Sequence, residues 1–149
     1  MSTVVDAGVT ARISTSFAKQ GLMRTLGARL LSVAAGEVAI ALPIVPAISQ
    51  QHGFAHAGAV AAIADSAADY AGLTLMPAGA GVLTVEFKIN LLAPAAGHSL
   101  IARGHVVKAG RTLIVTTADV VAVTDGRERL CAHLTATLMV ITGREGVSD

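Results

Sequence analysis

Alternation of apolar and polar residues is sharpest over residues 82–92. There Leu83, Val85, Phe87, Ile89 and Leu91 alternate with Thr84, Glu86, Lys88 and Asn90. A period of two predicts a β-strand with one face toward a core. Three further runs, 99–108, 112–124 and 128–142, are separated by the short turns Ala109-Gly110-Arg111 and Thr124-Asp125-Gly126-Arg127. The second turn contains the Asp-Gly pair that favours a tight hairpin. Residues 82–142 therefore read as a four-stranded meander. Upstream, 28–35 and 37–45 form a predicted hairpin about Gly36, closed by Pro43 and Pro46, which cannot donate to a ladder. Residues 47–55 then read as a connecting loop.

Helical spacing occurs twice. Ile13, Phe17 and Met23 predict a short amphipathic helix over residues 13–24, with Ser14, Thr15 and Ser16 available as caps. Residues 60–72, opening near Ala57, are rich in Ala with few bulky side chains, which suits a helix that a sheet approaches closely. The order is helix, two strands, long helix, four strands, an α+β layout of about six antiparallel strands around one central helix. One domain is expected over residues 1–149, with residues 1–12 and 143–149 as flexible ends.

Composition narrows the picture. Hydrophobic residues make up 53% of the 149 residues and charged residues 14%, so the polar cover is thin and a homo-oligomer is expected. No apolar run is long enough to cross a membrane without Pro, Gly or acid intervening. Residues 1–12 do not resemble a secretory signal, so the expected compartment is the cytoplasm. A net charge of +1 and 3% aromatic residues leave nucleic-acid binding neither a basic field nor stacking rings. Cys131 is the only cysteine, which excludes an intrachain disulfide and a multi-cysteine metal cage, and a lone thiol on a strand is ordinarily inert.

Candidate chemistry concentrates in His52-Gly53-Phe54-Ala55-His56-Ala57-Gly58-Ala59 and the helix that follows. At a helix start the first N–H groups, here those of Ala57, Gly58 and Ala59, lack intrahelical partners and carry the positive end of the helix dipole. Such a turn either binds an oxyanion or is an ordinary glycine-containing loop. His52 and His56 are spaced i, i+4, but no third ligand follows at metal-binding spacing, so no metal is expected and His56 reads first as a brace for the turn. Asp65 and Asp69 share a helix face. Asp69, near the helix end, reads as a solvated acid. Asp65, in mid-helix among Ile63, Ala64, Ala67 and Ala68, is the candidate base or nucleophile. Arg103, His105, Lys108 and Arg111 lie on or beside two strands flanking one turn, as solvated charges or as an anion site.

Gln50-Gln51-His52-Gly53-Phe54-Ala55-His56-Ala57-Gly58 followed by Ala64-Asp65-Ser66 resembles the His-Gly-Gly motif and downstream Asp of the hotdog-fold acyl-CoA thioesterases of the PaaI-like, phenylacetic acid degradation subfamily. Thr84-Val85-Glu86-Phe87-Lys88-Ile89-Asn90 and Gly110-Arg111 are similar to that family's next strand and its basic turn. The resemblance spans residues 22–141. It implies a helix wrapped by an antiparallel sheet, a dimer or dimer of dimers, an acyl-CoA substrate, and no metal or other cofactor. It further implies that Ala57 N–H and the Gln50 side chain bind the thioester oxygen, beside Gly58, and that Asp65 from the partner subunit is base or nucleophile. Thr84 would hold the water, His56 would shape the turn, and Lys108 and Arg111 would contact the CoA phosphates. Two residues depart from the family pattern. Ala57 stands where the first Gly after the His is usual, which strains the turn only if φ is positive, and Gln50 stands where some members have Asn. Two other activities fit the same fold: a non-catalytic acyl-CoA-binding protein, and an acyl-thioester dehydratase or hydratase, whose His-Phe-Pro type loop is missing here.

Overall fold

The computed structural model describes residues 5–149. Its elements are α1 (Ala7–Lys19), α2 (Gly21–Leu26), β1 (Arg29–Ala34), β2 (Glu37–Pro43), a 3-10 turn (Pro46–Ile48), α3 (Ala57–Leu73), β3 (Gly81–Leu91), β4 (Ser99–Ala109), β5 (Leu113–Thr124) and β6 (Arg127–Ile141). The six strands form one fully antiparallel sheet, and α3 packs across its inner face against β2 to β6. This is the expected α+β hotdog arrangement. Among the described residues no helix is long and apolar enough to cross a membrane.

Small residues set the depth of α3. Ile63, Ala64, Ala67, Ala68 and Ala71 have no solvent exposure, and Gly104 of β4 lies directly beneath them. A Cβ on Gly104 would stand 2.1 Å from the Ala67 carbonyl oxygen. The alanine run and that glycine thus bring helix backbone against strand backbone, leaving little room for water.

Three expectations need correction. The strand order is β1-β2-β4-β5-β6-β3, so only β4 to β6 form a meander, and β3 crosses to pair with β6 at the far edge. The seven residues 92–98 return the chain past the start of α3, where Ala55 N–H donates to Ala95 O and His98 N–H to Val123 O. Three strand spacings amount to about 14 Å, within reach of that link.

The alternation in β3 also breaks. Thr84 pairs with Leu138, but the next pairing is Glu86 with Thr137, so Val85 is a bulge. Leu83 and Thr84 keep the original phase, whereas after the bulge Phe87, Ile89 and Leu91 face the same side as Thr84. Thr84 is turned toward α3 and Leu83 away from it, the reverse of what strict alternation predicts.

The first helix begins earlier than expected because Asp6 caps it, its carboxylate accepting from Gly8 N–H at 3.3 Å. Gln20 is extended and divides it from α2, which ends at Gly27 with φ +74°. Residues 1–4 of the expected N-terminal tail lie outside the described residues, but Ala7 onward is helix. Asp149 pairs with Arg12 and accepts from Gly79 N–H at 3.1 Å, closing the C-terminus onto the end of α3.

Candidate active site

The turn before α3 is built by His56. It is the N-cap, with extended φ and ψ of −63° and 139°, and its Nδ1 accepts from Gly58 N–H at 2.8 Å. An imidazole nitrogen that accepts is unprotonated, so a neutral His56 carries its hydrogen on Nε2. The close approach needs Gly58, since a Cβ there would lie 3.0 Å from Nδ1. The N–H groups of Ala59 and Val60 both donate to the His56 carbonyl, at 3.0 and 3.2 Å. Of the three expected oxyanion donors, Gly58 and Ala59 are therefore engaged. Among the described residues no acceptor is found for the Ala57 N–H, which remains the free donor of the helix start.

Asp125 is the only non-glycine among the described residues with positive φ. Ala57 thus sits at the first helical position without the strain that a left-handed conformation would bring. Its Cβ changes the lining of the site, not the backbone that presents the N–H.

Ala57 opens onto a cavity of about 490 Å³ bounded by Gln50, Phe54, His56, Val60, Leu91 and Cys131, with residues 92–95 completing the wall. The lining is apolar apart from the turn, Gln50 and the thiol. The Gln50 Oε1 accepts from His52 N–H, which leaves the amide nitrogen of Gln50 as the end able to donate into the cavity. Burial pushes the Cys131 thiol up, away from thiolate chemistry.

Eight residues further along α3, Asp65 meets Thr84. The Thr84 Oγ1 lies 3.0 Å from Asp65 Oδ1 and 3.1 and 3.0 Å from the two carboxylate oxygens of Asp69. Asp69 is therefore no solvated acid; it is the more deeply buried of the two and shares the hydroxyl. Burial holds both carboxyls above their ordinary value, opposed by the Thr84 hydrogen bond. For Asp69 the Asp65 charge adds to burial, and its pKa is pushed up to about 8. The i, i+4 spacing of the acids is visible in the sequence, but their convergence on Thr84 depends on the Val85 bulge.

The structure does not bring all the candidate residues together within one subunit. At 1.5 Å rise per residue, Asp65 lies about 12 Å along α3 from Ala57. Arg111 flanks a groove with Met76, Pro77 and Thr112 at the C-terminal end of α3, roughly 25 Å from the turn by the same rise, and Lys108 is exposed on β4 toward that end. Arg103 is committed to a two-pronged ion pair with Glu128 at 2.6 and 2.9 Å, and His105 lies 3.6 Å from Glu37. Among the described residues no three His, Cys, Asp or Glu side chains are grouped to hold a metal ion.

This arrangement has relatives. A thioesterase family protein from Silicibacter pomeroyi is 49% identical and superposes with a TM-score of 0.89, over 91% of this chain and 100% of that one. A mutant form of the phenylacetic acid degradation protein PaaI from Thermus thermophilus is 27% identical over 80% of this chain and 98% of that one, with a TM-score of 0.70. The PaaI protein from the phenylacetic acid degradation operon of E. coli, at 17% identity, shares the fold over 97% and 98% of the two chains, with a TM-score of 0.83. No curated protein matches the chain. The sequence profile of the thioesterase superfamily matches residues 52–128, from the histidine-rich turn through α3 and the bulged strand to the start of β6. With more than half its length matched and a near relative of the same fold, the chain belongs to the thioesterase superfamily and is a thioester hydrolase.

Proposed function

We propose that the enzyme hydrolyses an acyl-CoA thioester to a carboxylate and free CoA, at a site shared by two copies of the chain. The observation that carries this reading is the free Ala57 N–H at the mouth of an apolar cavity, with Asp65 about 12 Å away on the same helix. One carbonyl cannot touch both groups of a single subunit. A twofold dimer with antiparallel α3 helices gives each turn the Asp65 of the other copy. β3 supports this assembly: it is an edge strand eleven residues long, and Val85, Phe87 and Leu91 are 55%, 43% and 55% exposed. A bare apolar edge of this kind is a template for pairing with a second chain. Two such dimers would form the dimer of dimers.

In the shared site the thioester oxygen accepts from Ala57 N–H and from the Gln50 amide, whose charge stabilisation grows as the tetrahedral oxyanion forms. Asp65 of the second copy takes a proton from water that attacks the carbonyl carbon, or attacks directly. The Thr84 oxygen helps to hold that water. CoA thiolate leaves as the tetrahedral intermediate collapses, and no metal or redox cofactor is required. His56 and Gly58 shape the turn. Lys108 and Arg111, remote from their own Ala57, lie toward the C-terminal end of α3, beyond Asp65, where they can meet CoA phosphates bound across the dimer. The working compartment would be the cytoplasm.

Release of CoA detected with a thiol reagent, over short, long and aromatic acyl-CoAs, tests the reading. Asp65→Ala is expected to abolish turnover, and unchanged turnover would remove Asp65 from the chemistry. Ala57→Pro replaces the donor N–H by the ring Cδ without disturbing the helix start, because Pro suits the first helical position and His56 already has the extended backbone that Pro requires before it. Its expected loss in kcat is on the order of 10²- to 10³-fold. After unfolding and refolding the two dead variants together, about a quarter of the wild-type activity should return, since half the dimers carry one intact site. No recovery would argue against a shared site, and tight binding of acyl-CoA without turnover by the wild type would favour a binding protein.

A further inference from the structure

The hydrolysis described above leaves one buried acid, Asp69, without a task. Its contacts can be counted. A threonine hydroxyl has one hydrogen and two acceptor lone pairs, whereas an ionised carboxylate only accepts. The Thr84 Oγ1 is within 3.1 Å of oxygens from both Asp65 and Asp69. One hydrogen cannot serve both, so two ionised acids here would leave one buried carboxylate without its hydrogen bond. A proton on one carboxyl satisfies every partner. The more deeply buried acid is Asp69, and among the described residues neither acid is in an ion pair.

We propose that Asp69 is a positioning residue, which keeps its proton, donates it to Thr84 Oγ1 and thereby turns the Thr84 O–H onto Asp65. The proposal rests on the reading of Asp65 as the group that acts on water or thioester. With one lone pair occupied by Asp69 and the hydrogen committed to Asp65, Thr84 has a single lone pair left, which accepts from the attacking water. Asp65 stays the anion, and the hydroxyl beside it cannot rotate away.

The surroundings carry no charge that reverses this assignment. On α3 the titratable neighbours are Asp65 and Tyr70, and the Tyr70 hydroxyl is bound to Ser16 and Gln20. Arg12 of α1 is held by Asp149 and by the Leu73 and Met76 carbonyls. From β3, Glu86 and Lys88 pair in register with Thr137 and Thr135 on the outer face, and Glu86 accepts from the Thr137 hydroxyl. Arg103 and His105 of β4 flank the inward Gly104 and therefore face outward, as does the Asp119 and His133 pair of β5 and β6. In the shared site, His52 and His56 of the second copy's turn and the Cys131 thiol in its cavity wall are the remaining titratable groups.

Raising the pH strips Asp69 of its proton. The resulting anion competes for the Thr84 hydrogen and repels the Asp65 charge, so activity falls on the alkaline side. Asp69→Asn replaces the acid O–H by an amide N–H donor of similar shape. It should stay within roughly threefold of wild-type kcat at neutral pH and lack the alkaline loss. Asp69→Ala should lower kcat on the order of 10- to 100-fold at unchanged KM, as a misplaced group does. Carboxyl-13C NMR of the free protein, labelled at aspartate, supplies a readout independent of turnover. One aspartate should titrate far above the ordinary carboxylate range, and its signal should vanish in Asp69→Asn. An alkaline loss that survives in Asp69→Asn, or an Asp69 signal with ordinary titration, overturns the proposal while the inactivity of Asp65→Ala keeps the hydrolytic reading intact. Full turnover by Asp65→Ala overturns both.

Discussion

Replacing Asp69 with Asn should make the protein more stable, and increasingly so as the pH rises from 5 to 7. The native carboxyl is pushed up to about 8, first by burial and then by the Asp65 charge, against an ordinary value near 3.8 in the unfolded chain. A raised native value means that the contribution to stability is complete below about pH 4 and is lost progressively until the native group ionises near pH 8. Within that window the native state holds one proton more than the unfolded state, so unfolding becomes easier by about 1.4 kcal/mol per pH unit. Over two units the loss is on the order of 3 kcal/mol, and Asn, which does not titrate, escapes it. Urea unfolding followed by far-UV circular dichroism at pH 5, 6 and 7, at one fixed protein concentration, measures the difference between variant and wild type directly. Holding concentration constant removes the mass-action term of an oligomer. Comparing the two proteins also cancels the titration of the shared groups that do not sense residue 69. Parallel stability curves over this range would show that Asp69 is ionised in the native state and refute the reasoning.

Three other perturbations probe the elements that hold the site. Gly104→Ala forces a Cβ to within 2.1 Å of the Ala67 carbonyl oxygen, a backbone atom that cannot step aside, and should cost about 3 kcal/mol or more in denaturant unfolding. His56→Ala removes the cap on Gly58 N–H and should cost about 1 kcal/mol, while His56→Asn, a strong capping residue, should recover most of it in thermal melts. Val85→Glu puts a charge on the exposed bulge of the β3 edge; sedimentation equilibrium should then give a folded monomer, and its acyl-CoA hydrolysis should be lost with the shared site. A Val85→Glu dimer of full activity would place the interface elsewhere.

Much of this protein is written in local patterns. Apolar runs bounded by Gly, Pro and Asp-Gly turn signals, with alternation clearest over residues 82–92, mark all six strands to within one or two residues, because turn residues and strand periodicity are local properties. The Asp125-Gly126 turn forms as expected, with both residues at positive φ. The alanine run after Ala57 identifies the central helix, and its lack of bulk announces the close sheet. The histidine- and glycine-rich turn likewise locates a helix start with free donors, and the motif there points to the thioesterase superfamily.

Other features depend on groups distant in the chain, and only the tertiary structure decided them. Which N–H stays free at the helix start is settled by His56, whose ring takes the Gly58 N–H and whose carbonyl takes that of Ala59, leaving Ala57 alone. The crossing of β3 to β6 replaces the simple meander, because the link 92–98 passes the start of α3 and not the edge of a hairpin. The Val85 bulge then reverses the strand's faces and delivers Thr84 to Asp65 and Asp69. Asp69 reads as solvated in the sequence because spacing along one helix reports which residues share a face, whereas desolvation depends on what packs against that face. Period and propensity are properties of neighbouring residues; burial, register and proton sharing arise when distant segments meet, and the chemistry of this site is made of the second kind.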